Sequence, residues 1–186
     1  MLKKSLKPNA ALYPVPVILV TCSTEERGPN IITIAWTGVI CSSPPMLSTS
    51  IRPSRYSHKI IKSQREFVAN IPSVAIAREA DYCGVVSGRR VDKFKETGLT
   101  PIEALKVKAP LIKECPVNLE CRVRHIIHLG THDLFLANIV ALHVDSNILD
   151  DNGEIDFKKA RPFVYNQGLY WDLQKQIGSY GYSLKK

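Results

Sequence analysis

The sequence predicts a mainly β protein with helices inserted between its strands, folded as an antiparallel barrel. Three observations predict it. Short β-branched runs recur along the chain, residues 117–124 alternate strictly between apolar and polar, and residues 134–145 are apolar at both parities. Strands dominate and helices interrupt them irregularly, which suits an antiparallel barrel with helical excursions better than a parallel sheet.

Residues 15–22 (VPVILVTC) read as a short buried strand. Gly28, Pro29 and Asn30 turn the chain, and 31–40 (IITIAWTGVI) is expected as a second buried strand, pairing with the first as a hairpin. Pro44 and Pro45 end the following loop, and 46–51 (MLSTSI) is a third strand. A short helix is expected over 56–64, with Ile60 and Ile61 inward and Lys59, Lys62 and Gln64 outward. Strand returns at 66–71. The pattern over 74–86 is helical and ends near Gly88, and 91–98 makes another turn or two that Gly98 stops. In 117–124, Val117, Leu119, Cys121 and Val123 should face a core while Asn118, Glu120, Arg122 and Arg124 face solvent. The apolar run 134–145 should be a central strand covered on both faces, and 150–153 (DDNG) a surface turn.

The chain has 186 residues, 45% hydrophobic and 23% charged, enough to bury a core without covalent staples. No repeat, low-complexity segment or long linker divides it, so one domain over 1–186 is expected, with a core of about 10–145 and an extension over 146–186. The five cysteines have no CxxC spacing and look like the reduced, mostly buried thiols of a cytoplasmic protein. Lys3, Lys4 and Lys7 before an apolar stretch superficially suggest a leader. Pro14 and Pro16 interrupt that stretch and no small-residue cleavage site follows, so it reads as a lead-in to the first strand. No run reaches the roughly 18 apolar residues of a membrane helix.

The formal charge of +8 favours an anionic ligand or partner. The basic residues are dispersed, without an RNP-type aromatic motif, so nucleic acid is not the expected partner. There is no GxGxxG after a strand, no P-loop, no GxSxG and no HExxH. His125 and His128 are three apart on an expected strand and so face opposite sides, which argues against a histidine metal site with His132.

Three stretches are suited to a ligand bearing a phosphate. In 50–59 (SIRPSRYSHK), Ser50, Ser54 and Ser57 supply hydroxyls and Arg52 and Arg55 supply planar guanidinium forks, at the start of a helix whose first N–H groups are free. The same residues also suit an N-cap serine with solvated arginines. In 85–94 (VVSGRRVDKF), Gly88 permits a close backbone approach while Ser87, Arg89 and Lys93 offer donors, and a plain helix end followed by a charged turn has the same pattern. The strand 30–38 could lay its backbone and Thr33 along a planar ring, or serve simply as core.

In order, N-I-x-T-x-x-W at 30–36, PPMLSTSIRPSRYSHKII at 44–61, EFVANIP at 66–72, SGRRVDKF at 87–94 and GTHDLFLANIV at 130–140 resemble the flavin reductase-like family, and within it the flavoredoxin-like branch. The similarity covers roughly 10–145, with a weaker tail at YNQGLYW (165–171). It implies a six-stranded antiparallel FMN-binding split β-barrel that forms a homodimer with FMN near the subunit interface. By motif, Thr33, Ala35, Trp36 and Thr37 would line the isoalloxazine edge. Ser50, Ile51, Ser54, Arg55, Tyr56 and Ser57 would hold the ribityl chain and phosphate, and Ser87, Gly88, Arg89 and Lys93 would close over the phosphate or its neighbourhood.

The chain departs from the commoner family pattern twice. The usual Gly-Asp-His is Gly130-Thr131-His132, which loses the acidic group or moves it to Asp133. Arg90 stands after SGR where Asp is usual, adding positive charge near the phosphate site. His132 is the candidate catalytic residue, beside the ring or an incoming nicotinamide; a histidine satisfied by a backbone carbonyl is the other reading. Cys41 and Cys83 are expected to be inert buried thiols. Strand 117–124 and the aromatics Tyr165, Tyr170 and Trp171 could contribute to a dimer.

Bound flavin would carry the hydride and one-electron chemistry while the protein binds, orients and tunes it. The resemblance therefore implies an NAD(P)H-dependent flavin reductase, passing reducing equivalents to flavin or to a downstream acceptor. The alternative is an FMN electron carrier reduced by a partner protein. A third reading, a barrel binding nucleic acid through its basic surface, would show as salt-dependent oligonucleotide binding without flavin.

Overall fold

Strand β1 (Val15–Pro16) leads into β2 (Ile18–Thr24), and Gly28, at φ 66°, reverses the chain into β3 (Gly28–Ile34). β4 (Thr37–Ser42) and β5 (Pro45–Ile51) form the next hairpin, followed by α1 (Tyr56–Gln64) and β6 (Glu66–Ile71). Helices α2 (Ala77–Val85) and α3 (Lys93–Thr97) come next, then the two-residue strands β7 (Pro101–Ile102) and β8 (Leu111–Ile112). The long strands β9 (Val117–His128) and β10 (Asp133–Val144) precede α4 (Phe157–Ala160), β11 (Phe163–Asn166) and β12 (Leu169–Asp172). This computed structural model describes residues 2–184.

The helix ends follow local chemistry. Asp92 caps α3 by accepting the Lys95 N–H, and Gly98 ends it at φ 71°. Within α1, Ile60 and Ile61 are buried, and Lys59, Lys62 and Gln64 are exposed, as the periodicity predicts.

The main sheet runs β3–β2–β6–β9–β10–β5–β4, every neighbouring pair antiparallel. Its two edges, β3 and β4, are consecutive in the chain and separated only by Ala35 and Trp36. The chain itself therefore crosses from one edge to the other and curls the sheet into a barrel. The Ser50 N–H donates to the Trp36 carbonyl at 2.9 Å, extending the β4–β5 pairing by one residue into this crossing. Edges joined by a crossing instead of a ladder make a split barrel. The single strand expected over 31–40 is thus two strands at opposite edges, because an unbroken extended run could not turn that corner.

The barrel interior holds Ile18, Val20, Ile32, Phe67, Cys121 and Phe135, with Ile60 and Ile61 of α1 among them. On the outside of β2 and β3, Leu19 and Ile31 pack with Ala80, Cys83 and Phe94 of α2 and α3. Both faces of β2 are therefore covered, which explains its unbroken apolar run.

Two expectations need correction. In β9, Asn118 and Glu120 are buried, not solvent-facing, because the segment 104–112 lies over that face. Glu120 is fully buried and accepts the N–H groups of Leu105 (2.8 Å), Lys106 (2.6 Å) and Val107 (3.0 Å), while His143 Nε2 meets it at 2.6 Å. Asn118 donates to Asn70 Oδ1 and to the Ile112 carbonyl. In β10 only the face carrying Phe135 and Ala137 is fully buried. Leu134 and Leu136 are half-buried and Leu142 is exposed, so the strand is not covered on both sides.

The C-terminal segment folds back on the start of the chain. β11 pairs with β1 and β12, the Tyr13 and Tyr165 rings lie 6.1 Å apart, and Tyr170 Oη donates to Asp81. Tyr165 and Tyr170 thus make contacts within their own chain, and Trp171 is exposed. Among the described residues, no helix is long and apolar enough to cross a membrane.

Burial alone would raise the Glu120 pKa, but the bonds from His143 and the three N–H groups outweigh it and hold the carboxyl below its ordinary value. The stabilisation from a depressed carboxylate is present above the unfolded-state pKa and is lost as pH falls through the folded one. Glu120→Gln should destabilise the protein at neutral pH by about 3 kcal/mol in urea unfolding, the cost of breaking a buried charged network. Its deficit against the unaltered protein should shrink as the pH is lowered through the carboxylate range.

Candidate functional site

The crossing at Ala35 and Trp36 leaves a cleft beside β3, walled by the end of β5, the start of α1 and the end of α2. Two pockets of about 220 and 240 Å³ make up this cleft, and both are lined by Ile32, Arg52 and Arg55, so they adjoin.

The first pocket is aromatic on one side, where Tyr13, Trp36, His132 and Tyr165 line it, and Arg52 and Arg55 reach into it. Of the residues singled out in the sequence, Thr33, Ala35, Trp36, Ser50, Ile51 and His132 line it. The Thr33 hydroxyl donates to the Ala80 carbonyl of α2, so that hydroxyl is engaged within the protein. Tyr13 and Tyr165 form another part of the wall. Thr37 lies outside; its hydroxyl donates to the Ser48 carbonyl at 2.7 Å and it borders a neighbouring apolar hollow.

His132 stands against Trp36, ring centroids 4.6 Å apart. Arg52 Nε donates to His132 Nε2 at 3.3 Å, and Nδ1 lies 2.9 Å from the Thr131 hydroxyl. With Nε2 accepting, the ring proton sits on Nδ1. No backbone carbonyl satisfies this ring, contrary to one of the two sequence expectations. Burial and then the Arg52 charge lower its pKa, which keeps the imidazole neutral at pH 7.

The second pocket is polar and cationic. Ser54, Tyr56, Ser57, Ser87, Gly88 and Lys93 line it, and Arg55 faces both pockets. Arg89 does not; it lines a further pocket on the far side of Gly88. Lys93 is buried, and its ammonium donates to the carbonyls of Ile31 (2.7 Å) and Cys83 (2.6 Å). Two of its three protons are thereby spent on tying α3 to β3 and α2, leaving one for the pocket. Burial pulls its pKa down to about 8. Burial likewise pushes the thiols of Cys22 and Cys83 up, to about 12 and about 11, so both are unreactive near neutrality. Cys41 is half-buried.

Sequence reasoning missed Asn30, whose buried side chain donates to Ser57 Oγ at 2.7 Å and lines the second pocket. It opens the N-I-x-T-x-x-W motif and the strand 30–38, but its side chain was given no role there. Gly88 is required for this arrangement. A Cβ there would overlap the Asn30 amide and crowd the Tyr56 ring. The close approach that glycine permits is therefore to these two side chains. Tyr13 was not singled out in the sequence and Tyr165 was read as a possible dimer contact, since only the β1–β11 pairing brings them to the cleft.

Behind the cleft, the buried Asp133 carboxylate bridges His58 Nε2 and His128 Nδ1, each at 2.8 Å. His58 belongs to α1 and His128 to β9, so this bridge fixes the helix against the barrel. Asp133 therefore has a structural role in the barrel. Among the described residues, no group of three or more His, Cys, Asp or Glu is arranged to hold a metal.

An aromatic-walled pocket continuous with a pocket of guanidinium, ammonium and hydroxyl donors lies in the seam of a split barrel. Comparison with known proteins gives the family. The family described as "Flavin reductase like domain" matches residues 10–174, and the chain belongs to it. Among solved structures it is similar to the flavoredoxin of Desulfovibrio vulgaris (Miyazaki F), with a TM-score of 0.92, 34% identity and coverage of 99% of this chain and 100% of that one. It is also similar to flavoredoxin from Methanosarcina acetivorans, with a TM-score of 0.88, 29% identity and 98% coverage of each chain. A protein of Archaeoglobus fulgidus whose function is uncharacterised is 35% identical over 147 residues, spanning 79% of this chain and 82% of the relative.

The His132 environment makes a direct prediction. In an NMR titration its midpoint should fall below the ordinary histidine value of about 6.5. Arg52→Ala should raise the midpoint without restoring it fully, because burial is the larger cause.

Proposed function

We propose that this chain binds FMN along the cleft and passes reducing equivalents from NAD(P)H to flavin or to a downstream acceptor. The observation that carries the proposal is the junction of the two pockets, aromatic at one end and cationic at the other. The donor set fits the cofactor. Trp36, Ala35, Ile51 and the backbone of Thr33 suit a planar, largely apolar ring, and Ser54, Arg55, Ser57 and Lys93 suit a phosphate. The start of α1, at Tyr56 and Ser57, adds free backbone N–H groups at the positive end of a nine-residue helix.

FMN held there supplies hydride and one-electron chemistry. The chain's own residues bind and orient it. Arg55 reaches both pockets and so ties the phosphate end to the ring end. Asn30 holds the Ser57 hydroxyl in the phosphate pocket. His132, neutral and held by Arg52 and Thr131, positions the ring or an incoming nicotinamide without donating a proton at neutral pH.

A second reading, an FMN electron carrier reduced by a partner protein, is favoured by the likeness to the flavoredoxins. We also infer a homodimer in the cytoplasm, the whole of 1–186 acting as one domain. Supporting the dimer are Val39 and Ile40 on the edge strand β4 and Leu142 on β10, all exposed apolar residues.

An anaerobic visible spectrum tests the proposal. A flavin spectrum bleached promptly by NADH or NADPH is the expected outcome. A flavin spectrum that persists until a reduced partner protein is added favours the carrier. Absence of flavin, with no uptake of added FMN, overturns both. Arg55→Ala should weaken FMN binding by about ten- to a hundredfold in fluorescence titration, the worth of a charge-assisted hydrogen bond. FMN affinity should also fall as pH rises through about 8, where the Lys93 ammonium loses its proton.

A further inference from the structure

The turn 87–90 serves two pockets. Ser87 and Gly88 line the phosphate pocket, whereas Arg89 and Arg90 line a separate surface pocket of about 350 Å³. Gly88 is packed against the Asn30 amide and the Tyr56 ring, and this contact walls the outer pocket off from the cleft. Arg27, carried on the β2–β3 turn, lines the outer pocket as well. All three arginines are exposed, and among the described residues none of their guanidinium groups has a hydrogen-bond or ion-pair partner. Asp92 is the one acidic lining residue, and its Oδ1 accepts the Lys95 N–H to cap α3. On the β2–β3 turn, Glu25 is paired with Lys108 at 2.9 Å and Glu26 lies outside the pocket lining.

Three like charges on two turns repel one another, and carboxylates from outside relieve that repulsion, each matching the paired donors of a guanidinium. The positive field continues past the wall. Arg52, Arg55 and Lys93 line the adjoining cleft, which has no acidic lining residue. A cationic surface of that extent is complementary to an acidic protein face and exceeds what one small anion covers. A nucleic acid would need exposed aromatic rings for its bases, and Tyr56, the outer pocket's one aromatic lining residue, is packed against Gly88.

We propose that the arginine pocket is the docking surface for an acidic one-electron carrier protein, seated one side-chain layer from the phosphate end of the cleft. This rests on the reading of the chain as an FMN electron carrier. Carboxylates of the partner pair with Arg27, Arg89 and Arg90, and the positive field steers the approach. Each encounter passes one electron from the partner's reduced metal centre to the flavin. Two encounters, with one proton taken up from water, complete the reduction.

The test is stopped-flow reduction of the FMN-loaded full chain by a reduced plant-type ferredoxin, an acidic carrier. Oxidation of the reduced chain by cytochrome c, a basic carrier, is followed in parallel. The charge reversal Arg27→Glu/Arg90→Glu is compared with the conservative Arg27→Lys/Arg90→Lys. Neither residue lines the phosphate pocket, so both variants should keep the FMN affinity of the unaltered chain. At low salt the ferredoxin rate should fall at least about tenfold in the reversal, the lower end of what electrostatic steering contributes, and be largely kept by the lysine variant. Added salt should slow ferredoxin in the unaltered chain and not in the reversal, and cytochrome c should not be slowed by the reversal. Polyglutamate should compete with ferredoxin. No reduction by ferredoxin, or a rate indifferent to the reversal, overturns the docking surface. So does equal slowing of both carriers, or competition by a DNA oligonucleotide where polyglutamate has none. A chain that takes up no FMN overturns the underlying flavin reading instead, a result distinct from all of these.

Discussion

The structure depends on one topological constraint: the two edges of the main sheet are joined by a two-residue crossing. Ala35 and Trp36 carry the chain from β3 to β4, and the Ser50 N–H bond to the Trp36 carbonyl continues the β4–β5 ladder into that crossing, leaving β3 and β4 unpaired with each other. A fully closed barrel would bury both edges. This one leaves a seam, and the cleft is that seam. Because β3, β5 and the start of α1 all border it, ring-sized apolar surface and phosphate-sized cationic surface come within one ligand's length.

Electrostatics then divides the cleft. Lys93 is the costly element, since a buried ammonium without partners would lose its proton. Burial lowers its pKa to about 8, and two carbonyl acceptors from β3 and α2 take two of its protons. Arg52 and Arg55 bear a smaller penalty, being exposed, and serve both pockets. Arg52 also sets the His132 tautomer, so the cationic end of the cleft reaches into the aromatic end through one hydrogen bond. Cys22 and Cys83 lie in the same region with their thiols held protonated, which keeps sulfur chemistry away from the proposed cofactor.

Outside the cleft, rigidity comes from buried carboxylates with several partners each. Glu120 fastens the segment 104–112 over β9, and Asp133 clamps α1 to β9 through two histidines. Each carboxylate is held below its usual pKa because hydrogen bonds outweigh the burial that would raise it. Stability and site geometry are linked through Asp133, since α1 also presents Tyr56 and Ser57 to the phosphate pocket.

Much of this was legible in the sequence because it is local. Periodicity marks β2, α1 and α3, Gly98 marks the end of α3, and the serines and arginines of 50–59 already stand together in the chain where β5 runs into α1. What sequence could not decide depends on which strand lies beside which. The alternation in 117–124 placed Asn118 and Glu120 in solvent, because a period of two states that two faces differ and not that a distant loop covers one of them. The run 31–40 was a single strand by composition, because β-branched residues favour extension equally on both sides of a corner. Asn30, Tyr13 and Tyr165 joined the cleft, and Arg89 left its phosphate pocket, only through tertiary pairing. Local chemistry is written in neighbouring residues, whereas the walls of a seam come from strands that meet only when the sheet curls.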